Sequence, residues 1–254
     1  MQEALRPADG MTSSNHNKPT ETDRIERMLA PRWAVPTLLA ALTVCFYWKV
    51  LFTNRVMFPW DVADFFYPSF SFVHEELRHF RLPLWNPYSM SGFPIIGDPE
   101  AQIFYPLNWL FVLLHPAGPL PYRLVELQVM VHFFLAGLFL YYLARDLTGS
   151  RFASLLAGVL FQFSGAMVAH TQHVASVNSM AWYPAIFLLA RRGLQQGNYV
   201  HCLSAGMLFG IQALAGHWQH AAYLGMLLFL YFAYEAVLGP QRRALWPRWL
   251  AMLL

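Results

Sequence analysis

Two pairs of carboxylates lie in two segments of the sequence that are rich in aromatic residues and proline, 58–68 and 81–106. Asp61 and Asp64 belong to the segment FPWDVADFFYP (58–68), and Asp98 and Glu100 follow in the second segment of this acidic stretch. A carboxylate can accept a proton from a hydroxyl group, and paired carboxylates can bind a divalent cation. Because the acidic stretch follows the first apolar segment of the chain, it is where a membrane enzyme would keep its chemistry.

The spacing of Asp61 and Asp64 adds a second possibility. Residues i and i+3 share a helix face, so the two carboxylates would be neighbours if this segment were α-helical. Their proximity would raise the pKa of one of them or let both bind a divalent cation. The alternative for Asp64 is a helix cap or a solvated loop residue.

Two short polar turns between apolar segments are rich in histidine: HTQH (170–173) and HWQH (217–220). Ionisable groups near membrane depth are costly and tend to line cavities or sites. The sequence therefore favours a cavity shared by these turns and the acidic stretch, although interfacial turns also accommodate His, Trp and Gln. His132, inside an apolar segment, is predicted to be a hydrogen-bonded core residue. The candidate binding residues of the two turns are His170, His173, His217 and Gln219.

Basic side chains near the acidic stretch are candidates for binding a phosphate group. Lys49 lies near the end of the first apolar segment, Arg55 just beyond it, and Arg81 further along. Phosphate recognition needs cationic hydrogen-bond donors of this kind. The alternative is that these long side chains extend to ordinary lipid headgroups.

The composition assigns these candidates to a membrane protein. Hydrophobic residues make up 57% of the chain and charged residues 12%, against roughly 45–50% and about 25% in soluble domains. The apolar pattern begins only near Trp33. Residues 1–32 are therefore predicted to be a disordered tail, and residues 33–254 a transmembrane domain.

Apolar windows long enough to cross a hydrocarbon core of about 30 Å recur along that domain. They predict an all-α polytopic membrane protein with one large loop at about 54–123. The cut-off last window leads us to expect further helices beyond Leu254. The predicted spans are 33–53, 124–144, 152–170, 176–190, 201–216, 221–238 and, cut off by the end of the chain, 246–254.

The distribution of Lys and Arg sets the expected orientation. Placing the N-terminus in the cytoplasm puts most basic residues inside, as the positive-inside rule requires. The acidic loop and both histidine turns then face outward. If the short apolar segment 107–115 crossed the bilayer, every later cluster of basic residues would lie on the outer side. We therefore predict that this segment is an interfacial helix within the external loop.

Several motifs resemble the N-terminal part of the bacterial YfhO family of membrane proteins. They are Tyr67-Pro68, RLPLWNPY (81–88), GDP (97–99), FYPLN (104–108) and AGHWQ (215–219). That family is similar to the GT-C class of membrane glycosyltransferases. The resemblance implies a GT-C-like helical bundle with short interfacial helices in its external loop, in a bacterial inner membrane with a cytoplasmic N-terminus.

The resemblance also implies an activity, the transfer of a sugar from a polyprenyl-phosphate carrier to an acceptor on the outer face. Asp61 matches the family position after the first span and is the expected base, with Asp64 as second choice. Asp98 and Glu100 would help to bind the donor or a divalent cation. The expected partners are a lipid-linked sugar donor, a glycolipid or cell-envelope polymer as acceptor, and membrane lipids, without nucleic acid.

Two alternatives stay open at this stage. The histidine pairs could ligate haem or a metal ion, since imidazoles are good ligands for both. A transporter or flippase for lipid-linked sugars would use the same cationic and aromatic surface without a base.

Overall fold

The structure is a computed structural model that describes residues 20–53, 55–239, 247 and 250–252. Within these residues the chain is helical, which confirms the predicted all-α class. Three helical segments are long and apolar enough to cross a membrane. The predicted seventh span lies largely outside the described residues. The three segments are Tyr122–Thr148, Arg151–Ala169 and Trp218–Leu238.

The predicted disordered tail is corrected at its C-terminal end, where Glu21–Met28 forms helix α1. Thr20 caps this helix. Its hydroxyl oxygen accepts a hydrogen bond from the amide of Asp23, at 3.2 Å, and the Asp23 carboxylate accepts one from the amide of Thr20, at 3.0 Å. This reciprocal arrangement satisfies amides that a helix start leaves unpaired. The first nineteen residues of the tail lie outside the described part of the chain.

The first predicted span consists of two helices, α2 (Ala34–Phe46) and α3 (Trp48–Phe52), which meet at Tyr47. The predicted external loop then contains a π-helical turn (Val62–Phe66) that leads directly into α4 (Tyr67–Arg78). Sequence reasoning did not predict α4.

The signal for α4 was nevertheless present in its sequence. The helix buries Phe70, Val73, His74 and Leu77, which are spaced as an amphipathic helix requires. Helix α5 (Pro106–Leu114) follows and coincides with the short helix expected at this point. It begins at a proline, a residue tolerated in the first turn because its missing N–H would be unpaired there.

The long helix α6 (Tyr122–Thr148) runs the length of the molecule and packs against α7 (Arg151–Gln162). Gly137 and Gly158 let the two backbones approach closely, since a Cβ placed at Gly158 would lie 2.7 Å from the Gly137 carbonyl oxygen. Small residues of this kind are typical of packed membrane helices. After a break, α8 (Gly165–Ala169) continues in the same predicted span.

The span predicted at 176–190 is two helices, α9 (Val174–Ala181) and α10 (Tyr183–Gln196). Pro184 explains the break, because it has no N–H to donate to the preceding turn and its ring crowds that turn. Every residue of α9 is buried, so this short helix lies at the centre of the bundle. Helices α11 (Tyr199–Leu214) and α12 (Trp218–Leu238) complete the described fold.

The helices define two ends of the molecule. At one end Glu26 of α1 accepts hydrogen bonds from Ser150 Oγ at 2.7 Å and from the Phe152 amide at 3.0 Å, which docks α1 on the α6–α7 turn. Arg192 and Asp146 form an ion pair of 2.7 Å at the same end. The turns after α8 and α11 lie at the other end, together with the loop that precedes α5.

Candidate functional site

Two adjoining cavities lie at the end of the bundle that holds the histidine turns. The first has a volume of about 310 Å³ and the second about 330 Å³. They share His173, Ser176 and His217 as lining residues. The first is also lined by Asp61, Phe65 and Glu100, and the second by His170, Gln219 and His220.

Asp61 and His173 contact each other across the first cavity. The Nε2 atom of His173 lies 3.4 Å from Oδ2 of Asp61. Their side chains keep 52% (Asp61) and 40% (His173) of their accessible surface exposed, so the carboxylate is open to solvent. Asp61 directly precedes the π-helical turn, and His173 directly precedes the buried helix α9.

Asp64 does not share this position, whereas an α-helix in this segment would have brought it beside Asp61. It lines neither of the two cavities. The reason is the π-helical turn Val62–Phe66. A π-helix closes i→i+5 hydrogen bonds and holds more residues per turn than an α-helix, so side chains three residues apart diverge instead of stacking on one face.

Glu100 and Asp98 are likewise separated. The Asp98 carboxylate caps the short 3₁₀ turn Pro99–Ala101 by accepting a hydrogen bond from the Glu100 amide at 3.0 Å. Glu100 lines the first cavity. Burial, and then the nearby carboxylates of Asp98 and Asp61, raise the pKa of Glu100 above its ordinary value.

Asp98 faces a different cavity, of about 200 Å³, which it lines with Gln102 and Trp218. Its carboxylate is therefore engaged in local backbone structure, and Asp98 is not among the residues that line the Asp61 cavity. The sequence prediction had grouped Asp98 with Glu100 as one acidic pair.

A buried network of amide side chains holds the loop that carries Glu100. The side-chain oxygen of Gln102 accepts a hydrogen bond from Asn178 of α9 at 3.0 Å. The Gln102 carbonyl accepts another from Asn108 at 3.2 Å, and the Asn108 side-chain oxygen accepts one from Gln128 of α6 at 2.7 Å. All four residues are buried. Sequence reasoning missed them, although polar amides inside apolar segments are costly to bury without partners.

His132 extends this network and confirms its predicted role as a hydrogen-bonded core residue. Its Nδ1 lies 2.7 Å from the Gln128 carbonyl oxygen, so Nδ1 carries the proton and donates it. Its Nε2 then accepts from the Tyr105 hydroxyl group at 2.6 Å, and the Tyr105 oxygen accepts from the Trp182 indole at 2.9 Å. Each donor has one acceptor, so His132 is structural.

The four outer histidines lie in two pairs. The ring centroids of His170 and His173 are 5.3 Å apart, and those of His217 and His220 are 4.4 Å apart. The Tyr183 hydroxyl group donates to the His220 carbonyl at 2.7 Å, which fixes the second pair. Burial, followed by the neighbouring His170 and His173, lowers the pKa of His217 below its ordinary value.

A glycine brings the second histidine pair against the acidic loop. Gly216 has a φ angle of +96°, and a Cβ placed there would lie 2.6 Å from the Pro99 carbonyl oxygen. Only glycine combines that backbone conformation with so close an approach. The turn after α11 therefore packs directly on the turn that carries Glu100, and this contact places His217 beside Glu100.

The basic residues predicted to bind phosphate lie elsewhere. Arg81 forms a bidentate ion pair with Glu76, with distances of 2.9 and 2.8 Å. The Lys49 ammonium group lies 5.9 Å from the ring centroid of Trp48, and Arg55 is exposed. None of these cations lines the two cavities, where histidine, serine and glutamine side chains supply the donors.

Ser176 is a lining residue that sequence reasoning missed. It belongs to the buried helix α9 and borders both cavities. A serine within an apolar segment is only a weak indication of a binding site. Its role becomes clear only when its neighbours in space are known. Among the described residues, no three His, Cys, Asp or Glu side chains converge as a metal site would require.

The arrangement can move a proton and hold polar groups. Asp61 offers an accessible carboxylate oxygen, and the histidines offer ring N–H donors. No protein-family model, curated protein or solved structure matches this chain. The resemblance to the YfhO family therefore stays a prediction, and the function has to be argued from the site.

Proposed function

We propose that this chain is a GT-C-like membrane glycosyltransferase of the YfhO family type. It would transfer a sugar from a polyprenyl-phosphate carrier to an acceptor hydroxyl group on the outer face of a bacterial inner membrane. The observation that supports this proposal is the convergence of Asp61, Glu100 and the outer histidines on two adjoining polar cavities. These residues come from separate segments of the chain, so their convergence is a property of the fold.

Asp61 is the base in this proposal. Its carboxylate accepts the proton of the acceptor hydroxyl group while the hydroxyl oxygen attacks the anomeric carbon of the sugar. The bond from that carbon to the phosphate oxygen breaks, and the lipid phosphate leaves with the electron pair. The attack occurs on the face opposite the phosphate, which inverts the anomeric configuration. His173 Nε2, at 3.4 Å from Oδ2, positions the carboxylate.

Glu100 has a complementary role. Because burial and the neighbouring carboxylates raise its pKa, Glu100 retains its proton to higher pH than an exposed glutamate. A protonated carboxyl group can donate a hydrogen bond to a sugar hydroxyl or to the phosphate, and a second carboxylate beside Asp61 would repel that phosphate.

The histidines take the phosphate-binding role that the sequence had assigned to Lys49, Arg55 and Arg81. His170, His173 and His217 border the two cavities. An imidazole donates hydrogen bonds through its ring N–H groups, so these side chains can bind the oxygen atoms of the phosphate.

The test is to reconstitute the purified protein in liposomes with a polyprenyl-phosphate carrier that bears a radiolabelled sugar. A glycosyltransferase converts the label to a glycosylated acceptor. Movement of the labelled lipid between leaflets without any product would replace this proposal with the flippase alternative. Haem absorbance or stoichiometric metal in the purified protein would favour the histidine-ligated alternative.

A further inference from the structure

A separate cavity, of about 330 Å³, lies at the opposite end of the molecule from the histidine turns. It is bounded by the connection between α1 and α2, the last turns of α6 and the first turn of α7. Its volume falls at the lower end of the range of ligand pockets, roughly 300–1,000 Å³. The lining residues that matter are Leu29, Arg32, Val35, Tyr141, Arg145 and Arg151.

The cavity carries an excess of positive charge. Arg32, Arg145 and Arg151 face it, and the one acidic side chain that contacts these arginines in the described part of the chain is Glu26. Glu26 Oε2 lies 3.6 Å from Arg151 Nη1, while Glu26 Oε1 already accepts two hydrogen bonds from the start of α7. One shared carboxylate leaves three guanidinium groups under-neutralised.

Arg145 supplies the strongest indication of a ligand. Its Nη1 atom is buried and has no hydrogen-bond partner among the described residues. A buried donor without an acceptor costs free energy, and the cost is larger for a charged group. Native proteins avoid such groups, so an unpartnered buried guanidinium nitrogen indicates that an anion belongs in the cavity.

The walls of the cavity identify the kind of anion. Leu29 and Val35 are buried apolar residues that border it, and Trp33 is exposed beside them, at the beginning of α2. An aromatic residue at the start of a membrane helix marks the level of the lipid headgroups. Basic pockets between membrane helices at this level bind anionic headgroups. A free phosphate ion would use only the arginines and would leave the apolar wall without a partner.

We propose that this cavity binds the phosphate group of an anionic phospholipid, with Arg145 and Arg32 on the phosphate and Leu29 and Val35 against the upper acyl chain. The positive-inside distribution of charge places this site in the cytoplasmic leaflet. It is separate from the proposed transfer site, so it does not depend on the glycosyltransferase function.

The test is lipid binding by the purified protein in neutral detergent, followed by native mass spectrometry and by the shift in thermal unfolding. Phosphatidylglycerol is compared with zwitterionic phosphatidylcholine. We expect phosphatidylglycerol to stay bound and to raise the unfolding temperature, as any ligand of the folded state does. Arg145→Gln should weaken that binding by about tenfold or more. Arg24→Gln, an exposed arginine of α1 outside the cavity, is the matched control and should bind as the wild type does.

Arg32→Gln keeps the test decisive if Arg145→Gln fails to fold, because Arg32 is exposed and its replacement leaves the core intact. Inorganic phosphate is added alone in a parallel arm. Stabilisation by inorganic phosphate equal to that by phosphatidylglycerol would overturn the assignment to a lipid. Equal retention of both phospholipids, or unchanged binding in both Arg145→Gln and Arg32→Gln, would overturn the site itself.

Discussion

At the scale of single residues, the two acidic pairs of the sequence divide between different environments. Asp61 and Glu100 line the first cavity, whereas Asp64 and Asp98 do not. The sequence identified all four carboxylates as candidates. The backbone geometry that decides which of them line the cavity could not be predicted from it. A π-helical turn separates one pair, and a capping interaction separates the other.

Glu100 gives a prediction about pH. Because its pKa is raised in the folded protein, the folded state binds the Glu100 proton more tightly than the unfolded chain does. Stability is then lost as the pH rises from the ordinary glutamate value of 4.5 through the raised pKa. Glu100→Gln removes this loss. We expect the variant to unfold at a higher temperature than the wild type at about pH 8, and the difference to disappear below pH 4.5.

Glu76→Gln is the matching comparison for that measurement. The contribution of Glu76 to stability has the opposite pH dependence to that of Glu100. The hydrogen-bonded Arg81 guanidinium lowers the pKa of Glu76, so its stabilising contribution is present above pH 4.5 and is lost as the pH falls. The effect should be small because the pair is partly exposed. A lower unfolding temperature for Glu100→Gln at about pH 8 would contradict the burial of Glu100 in the cavity.

At the scale of helices, hydropathy predicted the long elements and the short helix α5 closely but missed α4. Helix α6 covers the second predicted span, and α12 covers the sixth. The break between α9 and α10 follows from Pro184, because a proline within an apolar helical segment indicates a kink. The amide network around Gln102 could not be predicted, because its partners come from α6 and α9 and meet only in the folded chain.

Gly216 supplies the test at this scale. Replacing it with alanine forces a side chain into a backbone conformation that favours glycine and against the Pro99 carbonyl oxygen. We expect Gly216→Ala to lower the free energy of unfolding by about 1–3 kcal/mol and to reduce sugar transfer by separating His217 from Glu100. Gly97→Ala, two residues before Pro99 and with open space around its Cβ position, should change neither quantity appreciably. Equal effects of the two substitutions would show that the close contact between Gly216 and Pro99 contributes neither to stability nor to sugar transfer.

At the scale of the whole molecule, the two ends of the helical bundle differ in their chemistry. One end carries the carboxylates and histidines around the shared cavities. The other carries the arginine cavity and the docked helix α1. The distribution of Lys and Arg, a property of the sequence alone, predicts that the first end faces outward and the second faces the cytoplasm.

Cysteine labelling in intact cells tests this orientation. Ser91 lies in the loop before α5 and Gln195 near the end of α10, and both are exposed. In a background in which Cys45 and Cys202 are alanine, a membrane-impermeant thiol reagent should modify Ser91→Cys and spare Gln195→Cys. The opposite pattern would reverse the orientation and move the proposed active site to the cytoplasmic face.

The most direct test of the central claim compares Asp61→Asn with Asp64→Asn in the sugar-transfer assay. The two residues are neighbours in one segment and receive the same nearly isosteric substitution, but only Asp61 lines the cavity. Loss of a general base costs about 10²–10⁴-fold in rate. We predict that Asp61→Asn lowers the maximal rate by at least about a hundredfold with little change in donor affinity, while Asp64→Asn stays close to the wild type. Near-normal turnover in Asp61→Asn would contradict the proposed mechanism.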